Sequence, residues 1–179
     1  MVKNIFKHLN LVNKHRWKVF LLCLKAGIPI RGLLHDLSKY TPTEFIESVK
    51  YYNGKKSPIT FCKKEIGYSN AWLHHKGRNK HHHEYWYDYA APEQSPIMPY
   101  KYVVEMICDT LAAGMTYQGA SWNNSYQLKY YMEDRKKKKI NPIVDKILLE
   151  VYENISKKGI NKVINKKNLK AIYNKHVGK

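Results

Sequence analysis

Seven of the nine histidines fall between His15 and His83, and most of them are grouped. Neutral imidazole is the commonest metal ligand in proteins, and carboxylates complete hard or borderline sites. The groups are His15, the doublet His35-Asp36, the pair His74-His75 and the run His81-His82-His83. Residues of these types, spread over several elements, predict a metal site without thiolate ligands.

Asp109 lies among apolar residues of a segment that we predict to be helical. A carboxylate in such surroundings is costly unless it is paired or binds a metal ion. Glu105 precedes Asp109 by one helical turn, so the two carboxylates project from the same side. We interpret Asp109 as a ligand and Glu105 as a catalytic residue of the same site. The alternative is that both belong to an exposed stripe.

Not every histidine is expected to ligate. His8 and His176 are interpreted as surface residues, and a single histidine on a helix, such as His15, is often a satisfied core residue. Neighbours on a helix point about 100° apart, so one of His74 and His75 would ligate while the other packs or contacts substrate. Three consecutive histidines cannot all point one way, so at least one residue of the run 81–83 is not a ligand.

The elements that must position these groups are predicted to be helices. Apolar spacing, caps and breakers indicate helices, while strand-like alternation of convincing length is absent. Thr41 and Asn141 are the expected N-caps, and Gly27 is an expected helix stop. A long loop with short helical turns is expected over residues 77–99. The predicted helices cover residues 3–26, 29–40 (with His35-Asp36), 41–52, 63–76, 99–114, 126–137 and 142–158, followed by a helical or frayed tail.

Composition limits the partners. The formal charge is +18, from 32 Lys and Arg against 14 Asp and Glu, and such a field attracts nucleotides or nucleic acid. The excess is greatest after residue 134, so nucleic-acid binding through the basic C-terminal part is an open hypothesis. The alternative is a biased gene composition, in which lysine serves as a solvated surface residue.

No apolar run reaches the roughly 20 residues of a membrane span, and no signal peptide is evident. Three distant cysteines predict reduced thiols and a cytoplasmic protein.

The ordered set His15, His35-Asp36 and Asp109 resembles the HD-domain superfamily of metal-dependent phosphohydrolases. The string Gly-Leu-Leu-His-Asp-Leu-Ser-Lys-Tyr at 32–40 looks like the helix that carries the His-Asp doublet in that superfamily, including the lysine that often follows it. Residues 72–86, with a tryptophan and two histidine clusters, are similar to an uncharacterised bacterial and phage branch. The resemblance covers about residues 8–115. It implies one all-α, HD-domain-like helical bundle over residues 1–179, with a basic helical part at about 126–179.

The resemblance also implies roles for individual residues. The primary metal site would consist of His15, His35, Asp36 and Asp109. Asp36 would bridge to a second ion, held by His75 and by one of His81 and His82, of which His82 is our choice. Lys39, and with it Arg78, would meet a phosphate. Together with Glu105, which is assigned from its spacing to Asp109, the expected catalytic residues are Asp36 and Lys39.

The implied activity is hydrolysis of a nucleotide or related phosphoester by a metal-activated water. The ligand types suit one or two divalent ions of Mn, Fe, Co, Ni, Zn or Mg. Two alternatives stay open, an HD-type di-iron oxygenase and a basic nucleotide-binding or nucleic-acid-binding protein with a non-catalytic metal. Aromatic residues beside the histidine clusters, Trp72 and Tyr85 to Tyr87, would either stack on a base or pack in the core. The substrate, the metal and the oligomeric state are not determined by the sequence.

Overall fold

The computed structural model describes residues 2–54 and 56–178, without the side chain of Val2. These residues form α-helices and short 3-10 turns, and no strand occurs among them. The predicted all-α helical bundle is therefore confirmed. The α-helices are α1 (Val2–Lys25), α2 (Pro29–Leu34), α3 (Pro42–Lys50), α4 (Pro58–Ile66), α5 (Asn70–Arg78), α6 (Tyr100–Gln118), α7 (Tyr126–Asp134), α8 (Pro142–Lys158), α9 (Ile160–Val163) and α10 (Lys166–Val177).

The hydrophobic core is built around α6, which packs against α1 on one side and against the C-terminal helices on the other. Val19 and Cys23 of α1 are fully buried together with Leu111 of α6. Val151 of α8 and Leu169 of α10 belong to the same cluster of buried side chains. The basic C-terminal helices thus turn apolar faces inward, and their lysines remain at the surface.

Helix ends follow the predicted signals where a cap or a glycine is present. The side chain of Asn141 accepts a hydrogen bond from the amide of Ile143 at 2.8 Å, which confirms the predicted N-cap of α8. Gly27 ends α1 with a φ of 78°, a conformation that favours glycine. Thr41 precedes α3 as predicted, but its hydroxyl donates to the carbonyl of Ser38 at 2.6 Å instead of capping the helix.

Two predicted helices are divided. Residues 63–76 contribute to α4 and α5, which are separated at Gly67 (φ 85°), and Ser69 starts α5 by accepting a hydrogen bond from the amide of Trp72. The segment 126–137 ends as α-helix at Asp134 and continues as a 3-10 turn over Arg135–Lys137. The expected loop over 77–99 starts two residues later, because α5 reaches Arg78, and the 3-10 turn over His83–Trp86 agrees with the short helical turns expected within it.

The prediction of one helix over residues 29–40 is wrong, because the chain breaks at the His-Asp doublet. His35 leaves the helix with a ψ of 130°, and Asp36 has a φ of 53° in the left-handed region. Aspartate is one of the few residues other than glycine that tolerate this conformation. Arg16 supports the break by donating to the carbonyls of His35 (2.7 Å) and Leu33 (2.8 Å). A 3-10 turn over Leu37–Tyr40 follows.

Within the described residues, no helix combines the length and the apolar character that a membrane crossing needs.

Candidate metal centre

The first ligand group joins three elements. His15 comes from α1 and Asp109 from α6, and the packing of these two helices brings their side chains together. The break after α2 adds His35 and Asp36. One ligand atom from each of the four residues lies within 4.8 Å of the others. The structure therefore brings together all four residues of the primary site implied by the resemblance.

A second ligand group shares Asp36 with the first. It adds His75 from α5, and His81 and His82 from the loop that follows, again with ligand atoms within 4.8 Å of one another. The sequence left open whether His81 or His82 would join, and the structure places both there. His83 lies outside both groups and pairs with Glu84 at 3.3 Å.

The spacing of these atoms fits metal coordination. Nε2 of His35 lies 3.3 Å from Oδ2 of Asp36, and Nε2 of His75 lies 3.3 Å from Oδ1 of the same carboxylate. Nε2 of His81 is 3.4 Å from Asp36 Oδ1. Two atoms bound to one ion at about 2.0–2.2 Å are about 3.0–3.5 Å apart at octahedral or tetrahedral angles. The distances between donor atoms are therefore those of ligands on common ions.

Several of the converging atoms are buried without a hydrogen-bond partner among the described residues. They are Nε2 of His81, Nε2 of His82 and Oδ1 of Asp36, whereas Nε2 of His15 lies 2.9 Å from Oδ1 of Asp109 and Oδ2 of Asp36 lies 2.7 Å from the Lys39 ammonium. An unsatisfied buried polar atom costs about 1–3 kcal/mol, so such a concentration at one point needs a compensating ligand. Imidazole nitrogens and carboxylate oxygens are the donors that borderline divalent ions prefer. The residues present thus fit one or two such ions.

Glu105 lies behind the ligands rather than on the open side of the centre. Its Oε1 atom is 3.1 Å from Nδ1 of His35 and 3.4 Å from Nδ1 of His81, and Arg31 donates to Oε2 at 2.7 Å. Burial opposes ionisation of Glu105, but the hydrogen bonds to His35 and His81 lower its pKa to about 2. The alternative of an exposed Glu105 is wrong, because the residue is fully buried. This position suits a residue that orients ligands.

Glu44, which the sequence analysis did not assign to the site, has the same relation to the second group. Its carboxylate accepts from Nδ1 of His74 and from Nδ1 of His75, each at 2.7 Å. Burial raises the pKa of Glu44, but hydrogen bonds from His75 and His74 prevail and hold it below its usual value. His74 thereby supports the site from outside the ligand groups. The sequence signal for Glu44 is weak, because an acid in the first turn of a helix is common.

The electrostatics of the centre are those of tightly paired buried groups. Burial disfavours charge on Asp109, but hydrogen bonds to His15 and His35 hold its pKa well below the usual range. Burial and the neighbouring imidazoles of His81 and His75 depress the pKa of His82. A neutral imidazole is the form that binds metal, and a charged carboxylate is the form that ligates.

The centre opens towards Lys39. The side chain of Lys39 is 29% exposed and that of Asp109 15%, whereas those of His35, Asp36 and His81 are at most 1% exposed. The Lys39 ammonium lies 2.7 Å from Oδ2 of Asp36. Burial lowers the pKa of Lys39, but Asp36 and Asp109 outweigh it, so the pKa is raised and the side chain stays charged.

His8 and His176 are both expected at the surface from the sequence, and the structure contradicts this only for His8. The surface position expected for His8 is wrong, because the residue is buried and its ring packs against Phe45 and Tyr52, with centroids 5.4 and 5.7 Å apart. Burial and the charge of Lys39 lower the pKa of His8 to about 4. His176 is partly exposed and pairs with Glu150 at 2.6 Å, far from the centre in the fold.

Of the aromatic residues expected beside the centre, Trp72 and Trp86 are half-buried, whereas Tyr85 and Tyr87 are exposed. Trp72 meets His82 edge to face at 5.0 Å, and Trp86 donates from its indole nitrogen to the carbonyl of Lys80 at 2.8 Å. Arg78, which was expected to meet a phosphate with Lys39, is exposed at the last residue of α5. The interpretation of Trp72 as a wall residue is thus favoured over base stacking.

Comparison with known proteins identifies a family whose function is unknown. No curated protein and no solved structure matches the chain. Residues 4–154 match a family model described as a family of unknown function, DUF5662. The matched segment includes every residue of both ligand groups, together with Glu44 and Glu105. The chain belongs to this family, DUF5662.

Proposed function

We propose that the protein is a metal-dependent phosphohydrolase of HD type that acts on a nucleotide or a related phosphoester. The observation that carries this proposal is the pair of ligand groups that share Asp36, several of whose buried donor atoms have no hydrogen-bond partner among the described residues. Two ions that share one carboxylate suit the transfer of a phosphoryl group to water, since both the attacking and the leaving oxygen need stabilisation. The resemblance of the ordered ligand set to the HD superfamily supports the same reaction class.

When bound, divalent ions would supply a nucleophilic water at neutral pH and neutralise charge on the phosphoryl oxygens. His15, His35, Asp36 and Asp109 would hold one ion, and His75, His81 and His82 would hold the other together with Asp36. The chain's own contribution is to keep each imidazole in the tautomer that can ligate. Glu105 and Glu44 do this by accepting the Nδ1 protons of His35 and His75, which leaves the Nε2 lone pairs free.

Lys39 would bind the substrate phosphate. Its ammonium stands on the open side of the centre, beside Asp36 and Asp109, and remains charged there. A point charge at this place attracts a phosphoryl oxygen without competing for the ions. We assign Lys39 to substrate binding and Glu105 to positioning of His35 and His81.

The first experiment is elemental analysis of protein purified without chelator, followed by hydrolysis assays on p-nitrophenyl phosphate and a panel of nucleotides with several divalent ions. We expect one or two ions per chain and turnover that depends on them. Asp36→Asn is the decisive variant, because asparagine also tolerates the left-handed backbone that Asp36 adopts. It should lose metal and turnover together, while Asp88→Asn, in the loop before α6, should keep both.

The outcomes separate the alternatives. Hydrolysis by an Asp36→Asn protein shown to be free of metal would refute the mechanism. An iron-loaded wild-type protein that consumes dioxygen, and hydrolyses no phosphoester of the panel, would favour the di-iron oxygenase instead.

Nucleic-acid binding is a second candidate function, favoured by one observation. Lys76, Lys137, Lys138 and Lys139 line a cleft of about 370 Å³ together with Tyr87. Glu84 and Asp134 reduce the positive charge of this cleft. If the cleft binds nucleic acid, affinity should fall by about 0.7–0.9 log units per log unit of salt for each phosphate contacted.

Charge reversal tests this second function separately. Replacing the four lysines at 136–139 by glutamate should abolish oligonucleotide binding and leave hydrolysis of a small phosphoester nearly unchanged. Unchanged oligonucleotide affinity would refute the cleft as a nucleic-acid site. A collapse of small-substrate turnover with metal content intact would place the lysines at the active site.

A further inference from the structure

An apolar surface runs along α1 and α2 on the outside of the bundle. Seven large side chains between residues 17 and 37 are between 40% and 71% exposed. Single exposed apolar residues are ordinary, but a concentration of this kind marks an interaction site. We call it the α1–α2 apolar face, and its members are Trp17, Leu21, Leu24, Ile30, Leu33, Leu34 and Leu37.

The geometry of the two helices joins these side chains into one surface. Trp17, Leu21 and Leu24 are spaced by four and three residues and so share one side of α1. α2 packs closely on α1 at Gly32, where an added Cβ would lie 2.6 Å from Cβ of Cys23. Ile30, Leu33 and Leu34 lie on the parts of α2 that turn away from this contact, and Leu37 follows in the next turn.

The area matches that of a protein interface. With ordinary side-chain areas, the exposed parts of the seven residues add up to roughly 700 Å², more than the roughly 300–600 Å² of the largest apolar patch on a typical monomer. A stable interface takes about 800 Å² from each partner. The exposed area of the α1–α2 apolar face is thus nearly the area that one partner contributes to a stable interface.

Four of the cations that flank the face contact acceptors of their own chain. Arg16 donates to two backbone carbonyls and to Tyr40, and Arg31 pairs with Glu105. Lys18 donates to the carbonyl of Met115, and Lys25 donates to the side chain of Asn161. Binding to an anionic membrane or to a nucleic acid would require unpaired cations that can contact the phosphates. Their internal pairing favours a partner that offers an apolar surface of the same kind.

We propose that the α1–α2 apolar face binds a second copy of this chain in a two-fold symmetric dimer. Two chains of formal charge +18 repel each other, so association is favoured at a face that is mainly apolar and beside which Arg16, Lys18, Lys25 and Arg31 are paired within their own chain. In a two-fold interface the same patch lies on both sides, and an apolar face of this area complements itself. The inference is independent of the reaction that the metal centre performs.

The dimer would cover the outer side of the chain break that carries the metal ligands. Leu34 and Leu37 immediately flank His35-Asp36, whose side chains turn inward. A partner packed on Leu34 and Leu37 would therefore hold the break from the side opposite the metal centre.

Sedimentation velocity of the full chain tests the proposal, together with a pair of matched variants. Wild-type protein should sediment with twice the mass of the chain. Ile30→Lys combined with Leu33→Lys should raise the dimer dissociation constant by roughly a hundredfold or more, because each copy would bury two cations. Ile46→Lys is the matched control, since Ile46 is 67% exposed on α3 and lies outside the face. It should leave the dimer intact.

Helical circular dichroism and metal content establish that the variants are folded. A wild-type protein that stays monomeric up to about 100 μM, a weak affinity by any interface standard, would overturn the proposal without reference to any variant. A folded double variant that remains dimeric would also overturn it. So would a monomeric wild type that co-sediments with phosphatidylserine vesicles and loses this binding in the double variant, because the occupant would then be a membrane.

Discussion

Glu44 accepts hydrogen bonds from two adjacent histidines, and replacing it by glutamine changes only the chemistry of that acceptor. The carboxylate accepts one hydrogen bond from Nδ1 of His74 and one from Nδ1 of His75, each at 2.7 Å. Glutamine keeps the shape but offers one acceptor oxygen and one NH₂ donor, so one of the two imidazoles loses its partner. If His75 then moves its proton to Nε2, that nitrogen can no longer ligate.

The expected magnitude follows from the ligands that remain. Loss of a carboxylate behind a ligating histidine typically weakens metal affinity by about 10–100-fold, which is about 1.4–2.8 kcal/mol. Asp36, His81 and His82 still converge in the Glu44→Gln protein. Binding of the second ion should therefore weaken within this range rather than disappear, and the first ligand group should be less affected.

A residue on the same helix provides the control. Glu47 accepts from the hydroxyl of Ser69 and from the amides of Asn70 and Ala71, so it holds the start of α5 and contacts no residue of the ligand groups through these bonds. Glu47→Gln should lower the melting temperature and leave metal affinity unchanged. Affinity is measured by competition with a chromophoric chelator, using the ion that the wild-type protein carries after purification.

Either of two results would refute the reasoning about Glu44. One is a Glu44→Gln protein that binds the second ion within about twofold of the wild type, which is outside the usual effect of such residues. The other is equal weakening by Glu47→Gln, which would mean that the effect comes from the folding of α5. The melting curves of both variants distinguish the second result from a true loss of orientation.

Three further perturbations follow from particular contacts. Lys39→Met should raise KM for the phosphoester by about 10–100-fold, the worth of one hydrogen bond to a charged group, with metal content unchanged; a normal KM would remove Lys39 from substrate binding. Gly32→Ala should lower the free energy of unfolding in urea by about 1–3 kcal/mol, because its Cβ would lie 2.6 Å from Cβ of Cys23; unchanged stability would contradict the close packing of α2 on α1. Hydrogen bonds from Arg135 depress the pKa of Asp145 in the folded state against the effect of burial, so its contribution to stability is present above its unfolded pKa of about 3.9 and is lost as the pH falls further. Asp145→Asn should therefore be less stable than the wild type at pH 7, and the difference should shrink below about pH 4; a constant difference between pH 3 and pH 7 would contradict the pairing.

The sequence predicted the helices whose ends carry a chemical signal. The segment 142–158 has a capping asparagine, a proline in the first turn and an apolar stripe, and α8 occupies those residues. It failed at residues 29–40, where Ile30, Leu33 and Leu37 recur at helical spacing. These side chains are exposed, so the pattern came from a surface face and not from the contacts with the core. Helical spacing of apolar residues does not show whether those residues face the core or the surface. Here the spacing predicted an unbroken helix although the chain breaks at His35-Asp36.

Residue types indicated which side chains could bind a metal, and the resemblance to the HD superfamily selected His15, His35, Asp36 and Asp109 as one set. These four residues meet in space. Which histidines of a cluster ligate depends on the path of the backbone after α5, which local pattern does not determine. His81 and His82 both reach the second group because the chain leaves the helix at Asn79, and the 100° rule for helical neighbours no longer applies to them.

The supporting carboxylates could not be identified in this way, because their role depends on what lies across the core from them. Glu105 was placed in the site for its proximity to Asp109 along α6, yet its contacts are with His35 and His81. These two residues belong to different ligand groups, and Asp36 belongs to both. A single buried carboxylate thus orients one ligand of each group, while Arg31 fixes its other oxygen. The two groups are therefore linked by a shared residue, Asp36, and by the contacts of Glu105 with His35 and His81.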